Sequence, residues 1–255
     1  MDKAAFYKSL RRRNSGVFGT SLSQRQVDGV ESILGAGNHL PLAHLAHTLA
    51  QVYRETGGGM YPVKETVYRS SKNQNPTDAQ VIARLDRAWA KGQLPWVKSP
   101  YWRDGAFGRS QIQITHWDNY IKLSPHVGVD LRKNPDKALD PSISAKIAVK
   151  GCELGLFTGE RLADFDRPDG YDHGDARSIV NGDERKRLKD GRTIAEQLQG
   201  WGEAFEQALS AAEYAPRVDP APKAPPATEV PAQGLWAALM AALRTIGDAI
   251  VRRKT

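Results

Sequence analysis

The chain of 255 residues has the balance of an ordinary globular protein, with 40% hydrophobic and 25% charged residues. Its formal net charge of +7 favours polyanionic partners, such as nucleic acid, anionic lipid or an acidic cell wall. Cys152 is the single cysteine, so an internal disulfide is excluded and folding in a reducing cytoplasm is expected.

The beginning of the chain, MDKAAFYKSLRRRNSG, lacks the apolar segment of a secretory signal. No run of about 18 apolar residues follows, so the sequence predicts no ordinary membrane span. We therefore expect the protein to be made in the cytoplasm without a signal peptide. The basic residues are scattered apart from the triplet at 11–13, so nucleic acid is not expected as a partner.

Helical patterns dominate the chain up to residue 213. Apolar residues recur at helical spacing in five segments, with Ser21 or Ser23 as the cap of the first: 21–37, 40–59, 76–92, 140–159 and 183–212. Strand-like alternation is nearly absent, apart from short pieces around SQIQIT at 110–115. The sequence predicts a mainly α fold with at most a small hairpin near these residues.

The C-terminal part of the chain has a different composition. Residues 214–233 contain six of the fifteen prolines, which is typical of a semi-rigid linker. Residues 234–255 place apolar side chains on one helical face and end in the basic run Arg252, Arg253 and Lys254. We expect a catalytic domain over 1–213, then this linker, then a basic amphipathic helix. That helix suits an anionic membrane surface, although docking on the body or on another copy is the alternative.

Two carboxylates stand out in the first half of the chain. Glu55 ends the second predicted helix and precedes three glycines, which allow a ligand to approach the backbone closely. Glu65 follows ten residues later, beyond Pro62. Glycoside hydrolysis requires two carboxyl groups that flank a cleft, one of which protonates the leaving oxygen. Spacing alone is weak support for a catalytic role of the two glutamates, because most surface carboxylates are only solvated or paired with a cation.

The segment from Tyr101 to Tyr120 concentrates side chains that suit a sugar ligand. YWRDGAFGRSQIQITHWDNY combines aromatic rings, two glutamines, a threonine and an asparagine. Aromatic faces stack on sugar rings, and amides and hydroxyls bond to ring hydroxyls. The simpler interpretation is a polar loop that leads into a helix near Thr115.

Three motifs in this order resemble the family 19 glycoside hydrolases: RETGGG at 54–59, FGRSQIQITHWDNY at 107–120 and ARSIVNGD at 176–183. The resemblance extends over about residues 20–212 and is greatest to the endolysin branch of bacteriophages and prophages. It implies a lysozyme-like α-helical fold with a cleft between two lobes. We expect the enzyme to need no cofactor, and no metal because the sequence has no ligand set with zinc spacing.

The resemblance assigns roles to particular residues. Glu55 matches the family's general acid, and Thr115 matches a position that orients the attacking water. Gln113 and Asn119 match positions that hold the sugar or the water, and Asn181 matches the substrate-binding asparagine. Two further residues of the second motif are expected to bind substrate, namely Arg109 and Tyr120.

The sequence departs from the family pattern at three points. Arg54 stands where the family often has histidine, and Ser110 replaces the second glycine of Gly-Arg-Gly. The second carboxylate is Glu65 by the ten-residue spacing of the phage branch, with Asp104 as the alternative. If the family's mechanism applies, the enzyme inverts the anomeric centre, with the two carboxyls about 6.5–9.5 Å apart.

These features predict an endolysin-type enzyme that cleaves the β-1,4 bond between N-acetylmuramic acid and N-acetylglucosamine in peptidoglycan. It would act as a monomer on the wall in the periplasm, after release through a holin-type pore. A chitinase is the alternative within the glycosidases. A non-catalytic wall-binding module is a further alternative, because it would need the aromatic and amide residues but not Glu55.

The histidines raise one more alternative, a zinc amidase. His44 and His47 lie three residues apart on the second predicted helix, and His39 precedes it. A catalytic zinc site needs three protein ligands and an open position, and the spacing here is not that of HExxH. Histidines in an apolar helix are more often packed or hydrogen-bonded, so we expect a structural role for His47.

Overall fold

The computed structural model describes residues 1–65 and 76–217. These residues contain seven α-helices and one two-stranded hairpin, and the mainly α prediction is confirmed. The helices are α1 (Lys3–Leu10), α2 (Gln24–Ala36), α3 (Leu42–Glu55), α4 (Asp78–Ala90), α5 (Trp117–Val127), α6 (Pro141–Leu154) and α7 (Ile194–Ala211). Short 3-10 turns lie at Tyr101–Asp104, Pro135–Leu139, Leu162–Phe165 and Asp175–Ile179.

The central helix of the fold is α3. It packs against α7, and α2 and α6 pack against each other beside it. Its positions from His44 to Val52 are all buried, including a polar face that contains His47 and Gln51. The helix ends where Gly57 and Gly58 adopt positive φ values of 59° and 81°, a conformation that glycine adopts without steric cost. Because α3 ends here, Glu55 lies at the edge of the core rather than within it.

Five of the seven helices of the described residues begin at a residue whose side chain caps the helix. Ser23 caps α2 and Thr77 caps α4, each in a capping box with a glutamine three residues later. The last predicted helical segment begins later than expected, since α7 starts at Ile194 rather than at Asp183. Thr193 forms its capping box with Glu196, and the preceding residues turn at Asp190 and Gly191.

The predicted strand pieces around 110–115 form only one isolated bridge, between Arg109 and Ile114. Ser110 and Gln113 have φ values of 76° and 55°, which are incompatible with extended strand. The hairpin of the described residues lies elsewhere, and pairs β1 (Asp166–Arg167) with β2 (Gly170–Tyr171) in antiparallel register.

The apolar interior of the described residues divides into three clusters. The largest surrounds α3 and takes in residues of α1, α2, α6 and α7. A second lies between α5 and α6. The third joins Val81 and Leu85 of α4 to Trp102 and Phe107. The α4 region thus has a small core of its own beside the main body.

The folded body continues beyond residue 213. The Tyr214 hydroxyl donates to the Leu40 carbonyl at 2.8 Å, and the Arg217 amide donates to the Asn38 carbonyl at 2.7 Å. The rest of the predicted linker and the predicted C-terminal helix lie outside the described residues. Within the described ranges, no helix combines the length and the apolar character needed to cross a membrane.

Candidate active site

Glu55 is held at the edge of a cavity. Its side chain is 19% exposed and accepts a hydrogen bond of 2.6 Å from Nη1 of Arg177. The cavity has a volume of about 600 Å³ and is lined, among others, by Glu55, Asn181, Asp183 and Trp201. Glu55 and Asn181 were both assigned to the site from the sequence, and the fold brings them together.

Arg177 organises this cavity. Its guanidinium donates through Nε to Asp183 at 2.7 Å and through Nη1 to Gln51 at 2.8 Å, as well as to Glu55. The side chain is only 2% exposed. Burial by itself would lower the pKa of Arg177, but the charges of Glu55 and Asp183 and the hydrogen bonds to them raise it. The guanidinium is therefore a fixed cation between two carboxylates.

The loop that follows Arg177 supplies the polar part of the cavity. The Asn181 amide donates to the Arg177 carbonyl at 3.2 Å, so the Asn-Gly turn folds back on the 3-10 turn before it. This places the exposed Asn181 and the partly buried Asp183 beside Glu55.

Aromatic rings form one wall of the same cavity. Trp201 of α7 packs edge-on against Tyr53, with ring centroids 4.9 Å apart, and its Nε1 donates to the Gly16 carbonyl. Rings held in this way offer a surface for a sugar.

Glu65 is fixed by a different set of contacts. One carboxylate oxygen accepts from the Tyr101 hydroxyl at 2.8 Å, and the other accepts from the Gly108 amide at 2.7 Å. The Glu65 amide in turn donates to the Gly108 carbonyl at 2.7 Å. A Cβ at position 108 would lie 2.8 Å from Oε1 of Gln113 and 3.2 Å from Cβ of Glu65, so a larger residue would crowd this contact. Glu65 is not among the residues that line the Glu55 cavity.

Side chains of the 105–116 loop form hydrogen bonds with the backbone between Glu55 and Glu65. Gln111 donates to the Met60 carbonyl at 2.6 Å, and Gln113 donates to the Val63 carbonyl at 2.7 Å. Both amide groups therefore bond to backbone in this structure. Gln113, assigned to substrate from the sequence, fixes the path of the segment that carries Glu65.

Thr115 and Asn119 stand at the beginning of α5. The Asn119 side chain donates to the Thr115 carbonyl at 2.8 Å, and both residues are partly exposed. Asp104, the alternative second carboxylate, is exposed and accepts from the Ala106 amide at 3.2 Å. Neither Thr115 nor Asp104 lines the Glu55 cavity.

Arg109 and Tyr120, which were expected to contact substrate, have side chains that are 0% exposed in this structure. Arg109 stacks on Phe107 and pairs with Asp78 and Asp136 at 3.1 and 2.7 Å. The Tyr120 hydroxyl donates to the Phe107 carbonyl at 2.7 Å, and burial raises its pKa to about 12. These residues have no surface to offer a sugar, and they support the 105–116 loop instead.

The histidines have separate partners. His39 contacts Glu153, His44 contacts Asp166 and His47 contacts His173. Among the described residues, no group of three histidine, cysteine, aspartate or glutamate side chains is arranged to hold a metal ion. Cys152 is buried, which raises the pKa of its thiol to about 12.

Sequence reasoning missed four residues of the cavity or its support: Gln51, Arg177, Asp183 and Trp201. Arg177 and Asp183 belong to ARSIVNGD, where only Asn181 was singled out. The signal available in the sequence was the pair of opposite charges, Arg177 and Asp183, on either side of the Asn-Gly turn. Gln51 lies one helical turn before Glu55, and this spacing places both on one helix face.

Three solved structures similar to this chain are chitinases. Chitinase C from Streptomyces griseus has a TM-score of 0.46 and 17% identity, over 86% of this chain and 78% of that one. A family 19, class IV chitinase from Zea mays has a TM-score of 0.43 and 17% identity, over 86% of this chain and 95% of that one. A bacterial family 19 chitinase has a TM-score of 0.42 and 18% identity, over 86% and 97%. No family model and no curated protein sequence matches the chain.

At these TM-scores and identities, likeness does not carry an activity over to this chain.

Proposed function

We propose that this protein is a glycoside hydrolase in which Glu55 protonates the glycosidic oxygen of the leaving sugar. The observation that supports it is the placement of Glu55. This residue ends a buried helix at the edge of a cavity of about 600 Å³, and Arg177 donates a hydrogen bond of 2.6 Å to its carboxylate. A carboxyl group fixed at the edge of a sugar-sized cavity can act as a general acid.

Arg177 is shared by Glu55 and a second carboxylate, Asp183. Arg177 bonds to Glu55 through Nη1 and to Asp183 through Nε. When Glu55 is protonated, Asp183 still compensates the buried guanidinium, so no uncompensated charge is left in the interior. Asp183 thus serves as a second counter-ion, and the guanidinium does not depend on Glu55 alone.

Glu65 is our proposal for the second carboxylate, which activates the attacking water. Hydrogen bonds from Tyr101 and from the Gly108 amide fix both of its oxygens, and this holds the carboxylate in one orientation. Thr115 and Asn119 are proposed to orient the water, and Asp104 stays the alternative base.

Bacterial peptidoglycan is the proposed substrate, with cleavage of the β-1,4 bond between N-acetylmuramic acid and N-acetylglucosamine. The net charge of +7 favours an acidic wall polymer, and the exposed Asn181 amide can bond to ring hydroxyls or acetamido groups. The role would be that of an endolysin, which lyses bacteria from within. Chitin is the alternative, because it presents the same type of bond to the acid.

Product analysis tests this function. The full chain is incubated with purified peptidoglycan and, separately, with N-acetylglucosamine oligomers, and the products are identified by mass spectrometry. We expect soluble muropeptides whose new reducing end is N-acetylmuramic acid. Cleavage of the oligomers alone would move the assignment to chitin. Release of free peptide stems would replace the glycosidase with an amidase.

A further inference from the structure

Leu188 connects the Glu55 cavity to a strongly basic segment of the chain. It lines the cavity and is the one partly buried residue of 185–189, where the other four side chains are cationic and exposed. We call residues 185–189 the basic rim. Consecutive Cα atoms are about 3.8 Å apart, so the Cα atoms of Lys186 and Lys189 lie within about 8 Å of that of Leu188. The basic rim therefore borders the cavity.

Backbone hydrogen bonds fix the basic rim to the beginning of α7. The Ile194 amide donates to the Lys186 carbonyl at 3.0 Å, and the Leu188 amide donates to the Arg192 carbonyl at 2.7 Å. Leu188 also packs against the main apolar cluster. The charges of the rim are thus carried by an ordered backbone, which reduces the entropy that a ligand has to overcome when it binds.

Acidic neighbours compensate only part of the charge of the basic rim. Arg185 is 95% exposed, and its nearest charge partner, Glu184, is 3.9 Å away. No carboxylate of another described residue lies within ion-pair distance of Lys186, Arg187 or Lys189. A concentration of uncompensated cations beside a cavity raises the local concentration of anionic ligands.

The cavity is itself cationic when Glu55 carries a proton. Its charged lining residues are Arg54, Glu55, Arg177 and Asp183. The Arg54 side chain is 19% exposed, and its Nη1 donates to Gln197 at 2.5 Å. A general acid is protonated before it reacts, so the lining then holds two guanidinium groups against a single carboxylate. A ligand with a carboxylate of its own complements this charge.

We propose that the basic rim is a subsite for carboxylates of the peptide stems on the same glycan strand whose sugars occupy the Glu55 cavity. This inference rests on the proposed function. The muramic acid residues of peptidoglycan carry peptides with free carboxylates, whereas chitin is uncharged. The basic rim therefore determines which of two polymers with the same type of bond is bound more tightly.

Two lysines allow the subsite to be neutralised at exposed positions. Lys186→Gln combined with Lys189→Gln removes two charges of the rim. Arg187 is kept, because its Nη1 donates to a backbone carbonyl at 2.8 Å. The matched control combines Lys133→Gln with Lys146→Gln, at two exposed positions that do not line the cavity. Both double variants have the same net charge, so a difference between them reports the position of the charge.

The binding experiment uses the full chain with Glu55→Gln, so that the polymer stays intact. Purified peptidoglycan with acetylated amino groups is prepared in two forms, one with free carboxylates and one with the carboxylates converted to amides. Co-sedimentation gives the Kd of each protein for each form. Phosphate groups are the same in both forms, so the comparison distinguishes stem carboxylates from any other anion of the wall.

On the carboxylate form, we expect the rim double variant to bind about threefold to tenfold more weakly than the parent, the effect of two exposed ion pairs. On the amide form, the two proteins should bind equally. The control double variant should match the parent on both forms. Equal binding of parent and rim variant to the carboxylate form, or the same weakening on both forms, would overturn the proposal.

Turnover supplies the second readout, without the Glu55 substitution. The rim variant should raise KM on the carboxylate form by a similar factor and leave kcat unchanged, because the stem contact is the same in the ground state and in the transition state. Turnover of N-acetylglucosamine oligomers should not change. A fall in kcat with unchanged KM would contradict a binding subsite. If the wild type cleaves no glycan, the proposed function fails, and the Kd values still decide whether the basic rim binds carboxylates.

Discussion

The Glu55 cavity and the 105–116 loop are built on different physical principles. In the cavity, charged side chains from α3 and from residues 177–183 contact one another directly, with Arg177 between Glu55 and Asp183. In the loop, side chains bond mainly to backbone, as Gln111 and Gln113 do to the carbonyls of Met60 and Val63. The cavity therefore presents charged groups to a ligand, whereas the loop determines the path of the chain that carries Glu65.

The largest effect is expected where Arg177 is removed. Arg177→Ala leaves Glu55 and Asp183 without their shared cation, and breaking a buried pair costs about 3–5 kcal/mol. We expect a corresponding fall in the free energy of unfolding by urea titration, together with loss of wall lysis. Arg192→Ala, in an exposed pair with Asp190, is the control and should be nearly neutral. Wild-type stability in Arg177→Ala would show that the cavity does not depend on its cation.

The two candidate bases are compared next. Glu65→Gln should lower turnover by about a hundredfold, the size of a general base contribution, because Tyr101 and Gly108 hold this carboxylate in place. Asp104→Asn should cost much less, since Asp104 is exposed and bonds to the Ala106 amide. Turnover on purified peptidoglycan measures both. The reverse order would transfer the base role to Asp104.

Two tyrosines on either side of the 105–116 loop, Tyr101 and Tyr120, distinguish a structural from a catalytic contribution. Tyr120→Phe removes the hydroxyl that bonds the Phe107 carbonyl, and we expect the free energy of unfolding to fall by about 1–2 kcal/mol with KM unchanged. Tyr101→Phe removes a hydrogen bond to Glu65, so it should reduce kcat with a smaller change in stability. Thermal unfolding and steady-state kinetics test the contrast. A raised KM in Tyr120→Phe would restore the substrate-binding role predicted from the sequence.

The smallest effect is a dependence of stability on pH. The pKa of His47 is lowered in the folded state from its ordinary 6.5, so below pH 6.5 the unfolded chain binds a proton that the folded chain does not. Stability should therefore fall as pH falls through this window, by at most about 1.4 kcal/mol per pH unit. Carboxylates such as Asp136, with an ordinary pKa of 3.8, contribute only at lower pH.

Urea titrations between pH 5 and 8 measure this slope. His47→Gln should flatten it, and His126→Gln, at an exposed position of α5, should leave it unchanged. An equal slope in all three proteins would remove His47 as its source.

Much of this architecture could be predicted from the chain itself. The apolar spacing located α2, α3, α4 and α6, because amphipathic periodicity and terminal glycines are local signals. The hairpin was expected around 110–115, where positive φ values at Ser110 and Gln113 prevent strand, and such values depend on tertiary contacts.

The candidate site, too, could be predicted only in part from the sequence. Glu55 and Asn181 could be selected because they lie in motifs, and they share a cavity. Arg109 and Tyr120 lie in a motif too, but their polar groups bond to Asp136 and to the Phe107 carbonyl in the interior. A motif gives residue types and order, whereas the direction in which each side chain points depends on packing. For the same reason the Arg177 bridge between Glu55 and Asp183 could not be predicted from spacing.

Turnover of the Glu55→Gln variant tests the central claim most directly. The amide can still accept a hydrogen bond from Arg177 but cannot deliver a proton, so the variant should fold and bind peptidoglycan like wild type. We predict a loss of at least about a hundredfold in release of muropeptides, while the exposed control Glu160→Gln retains wild-type turnover. Wild-type turnover by Glu55→Gln, with folding verified by circular dichroism, would contradict the assignment of Glu55 as the general acid.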